Sequence, residues 1–432
     1  MKIKVLVVGC GDRATVYCHE GVDNLKQMQV VAAVDPNPER LRYMRENFGV
    51  AKNMCFDNIE DVLALGKIAD AVINGTMDSL HLATAVPFLK QGYHMLLEKP
   101  LVNNKADLLH LKSVAEQNNV RLMTCHVLRY APFYRKVKEL ITSGTIGKVQ
   151  NIQTSERVGA YHSSVSYVRG KWASEAECGS SLLLAKCCHD LDLICWLNNT
   201  TTPVEVYSNG DRTYFTVQNA PVGSGTRCLV DCPETVRKNC IYEAEAMYIK
   251  NTVLPWYPWQ CTGKNWQDVT EEEKYESLKT NNPHGRCVFK CGGDLLDHQN
   301  VVVRFGNGST ANHMVLLGAM KPTRTIFVSG TEGEIEGDPS GELIVRKFDK
   351  NTDFFTEEKI AFDDKQGETG GHYGGDRGLV ADFIDYICGK TPSISCTDIA
   401  DSINGHLTVF AADKSVKADK PVTIDYKADD HE

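Results

Sequence analysis

The sequence predicts an α/β protein: a doubly wound parallel sheet comes first, and an α+β domain with a large, mainly antiparallel open sheet follows. Three observations lead to this fold class. An apolar, β-branched run ends at two glycines, Gly9 and Gly11. Strand-like and helix-like segments then alternate as far as residue 125, which is typical of a parallel sheet. Between residues 200 and 350 strand-like segments dominate, so we expect domains at 1–125 and 126–432.

The glycines of the first turn indicate a dinucleotide site, and thus a Rossmann domain. Gly9 permits the tight turn, Gly11 lets the backbone approach a pyrophosphate, and Ala14 takes the helix-packing third position of GxGxxG. The next strand ends in Asp35, roughly 20 residues beyond the glycines, where a carboxylate would accept both ribose hydroxyls. A turn without a ligand is the alternative, and it leaves Asp35 without a role.

Asp35 also bears on the identity of the cofactor. A carboxylate at this place hydrogen-bonds a 2′-hydroxyl and repels a 2′-phosphate, so NAD is favoured over NADP. Arg40 follows in the next predicted helix and could pair with a 2′-phosphate, which keeps NADP as the alternative.

The other elements follow from hydrophobic spacing and turn residues. In the first domain we expect strands at 5–8, 29–34, 69–73, 93–97 and 121–124, and helices at 37–47, 79–90 and 105–116. In the second we expect helices at 132–141, 378–388 and 397–415, and strands at 148–158, 299–305, 310–316, 325–328, 343–347 and 422–424.

The composition limits the classes of function. The chain has 432 residues, a formal net charge of -9 and no Lys/Arg-rich run, which argues against nucleic acid or an anionic membrane as partner. No apolar segment approaches the length of a membrane span, and the first strand begins at residue 3, so we expect a cytoplasmic protein. A homo-oligomer is expected because an open sheet needs cover.

Several motifs together resemble the glucose-fructose oxidoreductase, inositol dehydrogenase and rhizopine catabolism (Gfo/Idh/MocA) family. They are the GxGxRA turn, the strand ending in Asp35, Thr76 followed by His81, Leu96-Leu-Glu-Lys-Pro-Leu101 and Gly144-Thr-Ile-Gly-Lys-Val149. The resemblance implies that Lys99 lies beside the nicotinamide and the substrate hydroxyl, and that Arg13 lies near the cofactor phosphates. It also leads us to expect four neighbouring residues at the cofactor site: Asp12, Thr76, His81 and Glu98.

The family's Asp-x-Gly-x-His motif is matched only in part. His189 matches, whereas Ala185 stands in place of the aspartate and Cys187 in place of the glycine. Lys186 lies three residues before His189 and shares its helix face, so we expect a cation in the substrate pocket. Asp192, three residues after His189, can reach the imidazole and fix its tautomer; a capping or solvent role is the alternative.

Hydride transfer needs a base that takes the hydroxyl proton, and His189 or Lys99 can serve. A lysine needs a lowered pKa for this role, which a neighbouring cation such as Lys186 would provide. His372 lies in a glycine-rich loop that resembles one that sugar-processing members bring back to the active site; a capped turn is the alternative. Cationic side chains bind hydroxyls, and tryptophan stacks on the faces of sugars. We therefore expect four further candidate contacts to a sugar or the cofactor: Arg129, Tyr130, Arg169 and Trp172.

The chain contains 16 cysteines, which we expect to be mostly reduced thiols. Several cluster in an insertion around residues 225–300. Four thiolates there could hold a structural zinc: Cys232, Cys240, Cys287 and Cys291. Two loops of reduced thiols are the alternative.

Two enzymatic functions remain open at this point. The first is an NAD-dependent oxidoreductase that transfers hydride between the nicotinamide and a sugar, polyol or glycoside hydroxyl. The second is a redox-neutral glycoside hydrolase that oxidises a ring hydroxyl, eliminates the glycosidic bond, adds water and returns the hydride. Tryptophans at 256, 259 and 266 suggest a roomy aromatic site for a glycoside, which keeps the second function as the alternative. Lys99 and His189 together argue against a non-catalytic NAD-sensing module.

Overall fold

A computed structural model of the chain describes residues 2–251, 257–264, 266–362 and 372–427. Two sheets organise these residues, one of six strands and one of nine. This is the predicted fold class, a doubly wound parallel sheet followed by a mainly antiparallel one. Of the helices that the structure describes, none is long and apolar enough to cross a lipid bilayer.

The first domain alternates strands and helices as its hydrophobic pattern predicts. Its strands are β1 (Ile3–Val8), β2 (Met28–Val34), β3 (Cys55–Phe56), β4 (Ala71–Asn74), β5 (His94–Leu97) and β6 (Leu122–Thr124). Its helices are α1 (Asp12–His19), α2 (Pro38–Phe48), α3 (Ile59–Leu63), α4 (His81–Lys90) and α5 (Lys105–Gln117). The strand order is β3-β2-β1-β4-β5-β6 and every pair is parallel. The sequence analysis missed β3 and α3 because two to five residues are too few to show a hydrophobic period.

The second domain is built on the nine-stranded sheet. Its strands are β7 (Val149–Gly159), β8 (Pro203–Asp211), β9 (His298–Phe305), β10 (Thr310–Ala319), β11 (Thr323–Gly330), β12 (Gly333–Gly337), β13 (Glu342–Asp349), β14 (Phe354–Ala361) and β15 (Val422–Thr423). They follow the order β14-β13-β12-β11-β7-β10-β9-β8-β15. β7 and β10 pair in parallel, and the other neighbours are antiparallel.

The helices of this domain are of two kinds. Longer ones cover the sheet or return to the first domain: α6 (Pro132–Thr142), α9 (Cys188–Leu197), α12 (Gly375–Ile387) and α13 (Ile399–Ala418). Shorter ones lie in connections: α7 (Ala160–His162), α8 (Glu175–Cys178), α10 (Glu234–Arg237) and α11 (Glu271–Lys279). The last two belong to the long insertion between β8 and β9, which also forms a turn of 3-10 helix at Tyr257–Thr262.

α9 positions the residues that matter for function. A π-helical turn, Leu183–Cys187, leads into it, and every residue of α9 is buried. The helix packs against α13 on one side and against β7 and β10 on the other. Its polar residues therefore have little contact with solvent, so each of them needs a partner in the interior or in a bound molecule.

Candidate active site

The first strand ends in a turn that requires glycine. Gly9 has a φ of 77°, and a β-carbon added there would lie 2.6 Å from the backbone nitrogen of Thr76. Ala14 also packs closely against the residue after β4. A β-carbon added at Gly75 would lie 2.9 Å from the β-carbon of Ala14. At Gly11, the N-cap of α1, an added β-carbon would meet nothing within 4 Å, and α1 has no side-chain cap. The helix N-terminus therefore faces open space, as an anion-binding turn requires.

Asp35 is fully buried at the end of β2, beside the glycine turn. Its Oδ2 accepts from the backbone N–H of Cys10 and its Oδ1 from that of Asn37, each at 2.8 Å. Arg40 Nη1 lies 3.3 Å from Oδ2. The carboxylate thus anchors two backbone segments, a role that the sequence analysis did not assign. Oδ1 keeps a second lone pair, so a ribose contact remains open to this oxygen.

The end of β4 is joined to the following loops by side chains. Asn74 Oδ1 accepts from the backbone nitrogen and from Oγ1 of Thr76, at 3.2 and 2.9 Å. His81 is fully buried, with ring nitrogens 3.1 Å from the Thr76 carbonyl oxygen and 2.6 Å from that of Pro100. Both nitrogens lie against carbonyl oxygens, so His81 links two loops of the site. The prediction that it contacts the cofactor is corrected accordingly.

An ion-pair network lies behind the N-terminus of α1. Arg13 pairs with Asp376 of α12, and its Nε lies 3.4 Å from Glu98 Oε1. Tyr17 donates to the same oxygen of Glu98 at 2.5 Å, and the backbone nitrogen of Lys99 donates to the other at 3.0 Å. Two carboxylates thus engage the guanidinium. Arg13 thus links α1 to α12, with Glu98 as a further partner, and because its side chain is 31% exposed, the expectation that it lies near the cofactor phosphates stays a prediction.

A cleft of about 440 Å³ opens in front of the glycine turn. The first domain lines one side with Gly11, Asp12, Thr15, Asn37 and Arg40, and the insertion lines the other with Gln260, Lys264 and Trp266. Gln260 Nε2 donates to Asp12 Oδ2 at 3.2 Å, which joins the two sides. The open space at Gly11 and the two-sided cleft beyond it fit the pyrophosphate and adenosine of a dinucleotide.

The two described tryptophans of the insertion, Trp259 and Trp266, do not form the expected aromatic sugar site. Trp259 is fully buried within the insertion, and Lys274 Nζ lies 5.5 Å from the centre of its ring. Trp266 lines the cofactor cleft instead. Trp256 lies outside the described residues. The two described tryptophans therefore serve the core of the insertion and the cleft in front of the glycine turn.

Lys99 follows β5 at the carboxyl edge of the sheet and reaches the segment that leads into α9. Its Nζ donates to the backbone oxygen of Ala185 at 2.8 Å. Ala185 stands where the resemblance leads us to expect an aspartate. The partner of the lysine is thus a main-chain carbonyl, and the contact joins the first domain to the turn that leads into α9.

His189 lies in the first turn of α9, among other histidines. Its Nδ1 is 3.5 Å from Nδ1 of His126, and its ring centre is 5.8 Å from that of His372. Burial lowers the pKa of His189 well below its ordinary value, and the charges of Lys99, His126 and His372 lower it further. The imidazole is therefore neutral at pH 7 and able to accept a proton.

The sequence analysis missed two of the histidines. His126 follows β6 and is fully buried, with its Nε2 3.7 Å from Asp192 Oδ1. His162 ends α7 and stacks on Tyr167 at 5.7 Å; burial and the nearby Lys186 lower its pKa. Because His126 comes directly after a strand of the parallel sheet, the strand-end rule that identified Lys99 could have found it. His162 gives no comparable signal.

His372 approaches the site from the loop before α12. Its backbone φ is 59°, and its Nδ1 lies 3.9 Å from Asp376 Oδ1. Burial lowers the pKa of His372 to about 4. Residues 363–371, which precede it, lie outside the described part of the chain. The structure thus places His372 beside His189, and its contact with substrate stays a prediction.

Lys186 turns toward the sheet. Its Nζ lies 3.3 Å from Glu156 Oε1 on β7. The other oxygen of Glu156 lies 2.7 Å from Arg324 Nε, which is also 2.9 Å from Asp190 Oδ1. Glu156 therefore offsets the charge of Lys186, and the expectation of a cation in the substrate pocket that tunes Lys99 is corrected to a buried ion-pair network.

Three predicted substrate contacts are structural instead. Arg129 is fully buried, binds both oxygens of Asp192 at 2.7 and 2.6 Å, and pairs with Asp401 of α13. Asp192 is committed to this pair, so it does not orient His189. Tyr130 donates to Asp382 Oδ2 at 2.8 Å. The predictions for Arg129, Tyr130 and Asp192 are wrong because buried charges and hydroxyls need partners, and packing supplies these partners from distant helices.

The predicted substrate contacts of Arg169 and Trp172 differ in how they compare with the structure. Arg169 is fully buried and its Nε donates to the backbone oxygen of Arg286 at 2.6 Å. It fastens the insertion to the domain, so its predicted contact with substrate is wrong. Trp172 is half-buried, donates from Nε1 to Asp78 Oδ2 at 3.2 Å and stacks on Tyr167 at 6.0 Å. Trp172 stays a candidate for a sugar contact.

All 16 cysteines are free thiols. Four of them line a small cavity beside Arg169: Cys228, Cys232, Cys240 and Cys287. Cys291 donates to the Cys287 carbonyl oxygen at 2.9 Å. Within the described ranges, the one group of three metal-ligating atoms within 4.8 Å of one another contains none of the predicted zinc ligands. The structure therefore does not bring the four predicted thiols together as a metal site requires, and that zinc site is not supported.

Two family models match the chain. One, described as "Oxidoreductase family, NAD-binding Rossmann fold", matches residues 3–126. The other, described as "GFO/IDH/MocA C-terminal domain", matches residues 134–229. Together the two segments cover half of the chain.

Individual relatives are distant. The oxidoreductase-like protein YteT of Bacillus subtilis is 24% identical over 413 residues, which are 91% of this chain and 91% of that protein. Myo-inositol 2-dehydrogenase of Thermotoga maritima is 27% identical over 158 residues, 36% of this chain and 45% of the relative.

Solved structures share the fold over nearly the whole chain. An oxidoreductase from Agrobacterium radiobacter in complex with NAD+, L-tartaric acid and magnesium has a TM-score of 0.67 at 16% identity and covers 98% of this chain and 99% of its own. The WlbA dehydrogenase from Bordetella pertussis, in complex with NADH and UDP-GlcNAcA, has a TM-score of 0.65 at 16% identity and covers 99% and 100%.

Proposed function

The chain belongs to the Gfo/Idh/MocA oxidoreductase family, and from this premise we propose that it transfers hydride between NAD and a hydroxyl-bearing carbon of a sugar, polyol or glycoside. One observation carries the proposal. Lys99 Nζ donates to the Ala185 carbonyl oxygen at 2.8 Å, one helical turn before His189, and so joins the cofactor domain to a neutral imidazole. The two side chains differ in chemistry, and each suits one part of an alcohol oxidation.

Oxidation of a secondary alcohol removes a proton from oxygen and a hydride from the attached carbon. When bound, the nicotinamide accepts that hydride and returns it in the reverse direction. The imidazole of His189 takes the hydroxyl proton, because it is neutral at working pH. Lys99 Nζ donates a hydrogen bond to the same oxygen and stabilises the negative charge that develops there. In the reverse reaction His189 gives the proton back.

Neighbouring histidines orient the base. His126 Nδ1 lies 3.5 Å from Nδ1 of His189, and one of the two nitrogens must donate to the other. With Nδ1 of His189 as the donor and Nδ1 of His126 as the acceptor, this contact orients the ring and leaves Nε2 of His189 unprotonated, ready to accept the substrate proton. His372 lies on another side of the same ring and would meet the substrate from the loop before α12.

The preference for NAD rests on Asp35. Its carboxylate is fully buried beside the cleft and would repel a 2′-phosphate. Arg40, the side chain that could favour NADP, is already paired with Asp35.

The insertion supports a second function, the redox-neutral glycoside hydrolase. Oxidation of a ring hydroxyl acidifies a neighbouring C–H, the glycosidic bond is then eliminated, water adds and the hydride returns. Such a cycle consumes no NAD, so it favours a cofactor that stays bound between turnovers. The contact of Gln260 with Asp12, with Trp266 along the same cleft, would retain the cofactor.

A substrate panel tests both functions. The protein is incubated with NAD and with free sugars, polyols and aryl glycosides, while NADH absorbance and aglycone release are followed together. NADH formation indicates the dehydrogenase, and aglycone release without NADH indicates the hydrolase. Substrate deuterated at the oxidised carbon should slow either reaction. Aglycone release that is insensitive to the label and to removal of NAD would refute a hydride step.

We also propose that the protein assembles with copies of itself. β14 is the edge strand of the nine-stranded sheet and carries two exposed aromatic residues, Phe354 and Phe355. An exposed apolar edge strand is a ready surface for association. Sedimentation velocity measures the assembly, and a monomer at micromolar concentration would contradict it.

A further inference from the structure

Three side chains of different chemistry converge beneath the turn that carries His189. The ligand atoms of Cys187, Asp190 and His313 all lie within 4.8 Å of one another. The three residues are 0, 2 and 1% exposed. Cys187 ends the π-helical turn that leads into α9, Asp190 lies in the first turn of α9 and His313 lies on β10, so the group spans a helix start and the sheet below it.

Two of these side chains carry a polar atom that has no hydrogen-bond partner among the described residues. They are Oδ2 of Asp190 and Nε2 of His313. A buried polar atom without a partner is costly, and such atoms are uncommon in folded proteins. Both atoms belong to one group, so a single bound ligand would satisfy them together.

The opposite ends of the same side chains are held in place. Nδ1 of His313 lies 2.8 Å from Oγ1 of Thr154, its direct neighbour on β7. Oδ1 of Asp190 accepts from Arg324 Nε at 2.9 Å. Metal ligands are characteristically oriented in this way, because a histidine that binds a metal donates its other ring N–H and a ligating carboxylate is itself hydrogen-bonded.

We propose that Cys187, Asp190 and His313 bind one zinc ion, with a water molecule as the fourth ligand. Thiolate, imidazole and carboxylate are all ligands of tetrahedral zinc. On binding, the S–H bond of Cys187 breaks, its proton leaves to solvent and a zinc–sulfur bond forms. The thiolate and the Asp190 carboxylate then balance the charge of the ion.

Zinc here would act as a positioning element. Cys187 and Asp190 enclose Cys188 and His189 in the sequence, so a bond from each to one ion fixes the turn that presents the imidazole. The metal would not touch substrate in this role. The site is also separate from the proposed function, since zinc binding does not depend on which reaction the enzyme catalyses.

Elemental analysis of the full-length protein tests the proposal. Protein from zinc-supplemented cultures, dialysed against metal-free buffer, should hold close to one zinc per chain. Cys187→Ser and His313→Gln should each lose it. Two controls should keep it: Cys188→Ser, which alters the adjacent buried thiol, and Cys287→Ser, which alters the insertion. Loss in Cys287→Ser with retention in Cys187→Ser would overturn the proposal, as would folded unaltered protein that takes up no zinc on titration.

Cobalt substitution adds a measurement on the unaltered chain, which does not depend on whether the variants fold. Co²⁺ in place of zinc should give the visible bands of a tetrahedral ion and a sulfur-to-cobalt charge-transfer band with the intensity of one thiolate. An octahedral spectrum without charge transfer, or a band with the intensity of several thiolates, would refute this site.

Discussion

Replacement of Asp35 with asparagine should weaken both the first domain and its binding of NAD. Both carboxylate oxygens accept a backbone N–H in the structure, from Cys10 and from Asn37, each at 2.8 Å. Asparagine has nearly the same shape but only one acceptor oxygen, and its amide nitrogen would face the second N–H as another donor. One buried N–H is therefore left without a partner, whichever way the amide turns.

The size of the effect follows from these contacts. A hydrogen bond to a charged group contributes about 1.5–3 kcal/mol, and a buried donor without a partner costs about 1–3 kcal/mol. The two figures describe the same lost hydrogen bond, so they are not added. The pair with Arg40 adds little, because the arginine side chain is 48% exposed and solvent screens it. We expect the free energy of unfolding to fall by about 2 kcal/mol. NAD affinity should fall about tenfold, the equivalent of about 1.4 kcal/mol, and NADP affinity should fall less, because the repulsion disappears too.

Thermal unfolding and titration of both cofactors measure the two effects separately. Arg40→Ala is the matched control, and it should leave the unfolding midpoint nearly unchanged. An unaltered midpoint in the Asp35→Asn protein would refute the anchoring of Cys10 and Asn37. Equal losses of NAD and NADP affinity would refute the contact with the ribose hydroxyls.

Three further predictions concern chemistry, cofactor retention and pH. Lys99→Ala and His189→Ala should each lower turnover by about 10² to 10⁴ while NAD affinity stays intact. The control Lys90→Ala, at an exposed lysine, should change neither turnover nor NAD affinity. Loss of NAD binding in the Lys99 or His189 variant would indicate a structural role instead. Trp266→Ala should speed NAD release measured by stopped-flow fluorescence, and an unchanged rate would remove the retention argument for the hydrolase. Burial raises the pKa of Asp413 to about 7, so the folded state holds this proton more tightly and stability is lost as pH rises from about 4 to 7. The Asp413→Asn variant should therefore unfold at a higher urea concentration than the unaltered protein at pH 7 and at the same concentration near pH 4. Equal unfolding midpoints of the two proteins at both pH values would contradict the raised pKa.

The sequence alone predicted the parts of the site that depend on local pattern. GxGxxG, the strand that ends in Asp35 and the position of Lys99 after β5 all follow from hydrophobic runs and turn residues. Gly9 illustrates why: its positive φ and its contact with Thr76 are requirements that only one residue type meets. The alternation of strands and helices then placed these residues at one edge of the sheet.

Only the tertiary structure decided which charged and polar groups meet. Arg129 and Asp192 are 63 positions apart and Arg13 and Asp376 are 363 apart, so no spacing rule links them. The cysteines of the insertion show the converse, since a suggestive spacing did not bring their ligand atoms together, whereas Cys187 and Asp190 meet His313 of another strand. The physical reason is that hydrophobic period and turn chemistry act within a few residues, whereas a buried polar group takes its partner from whichever element packing brings beside it.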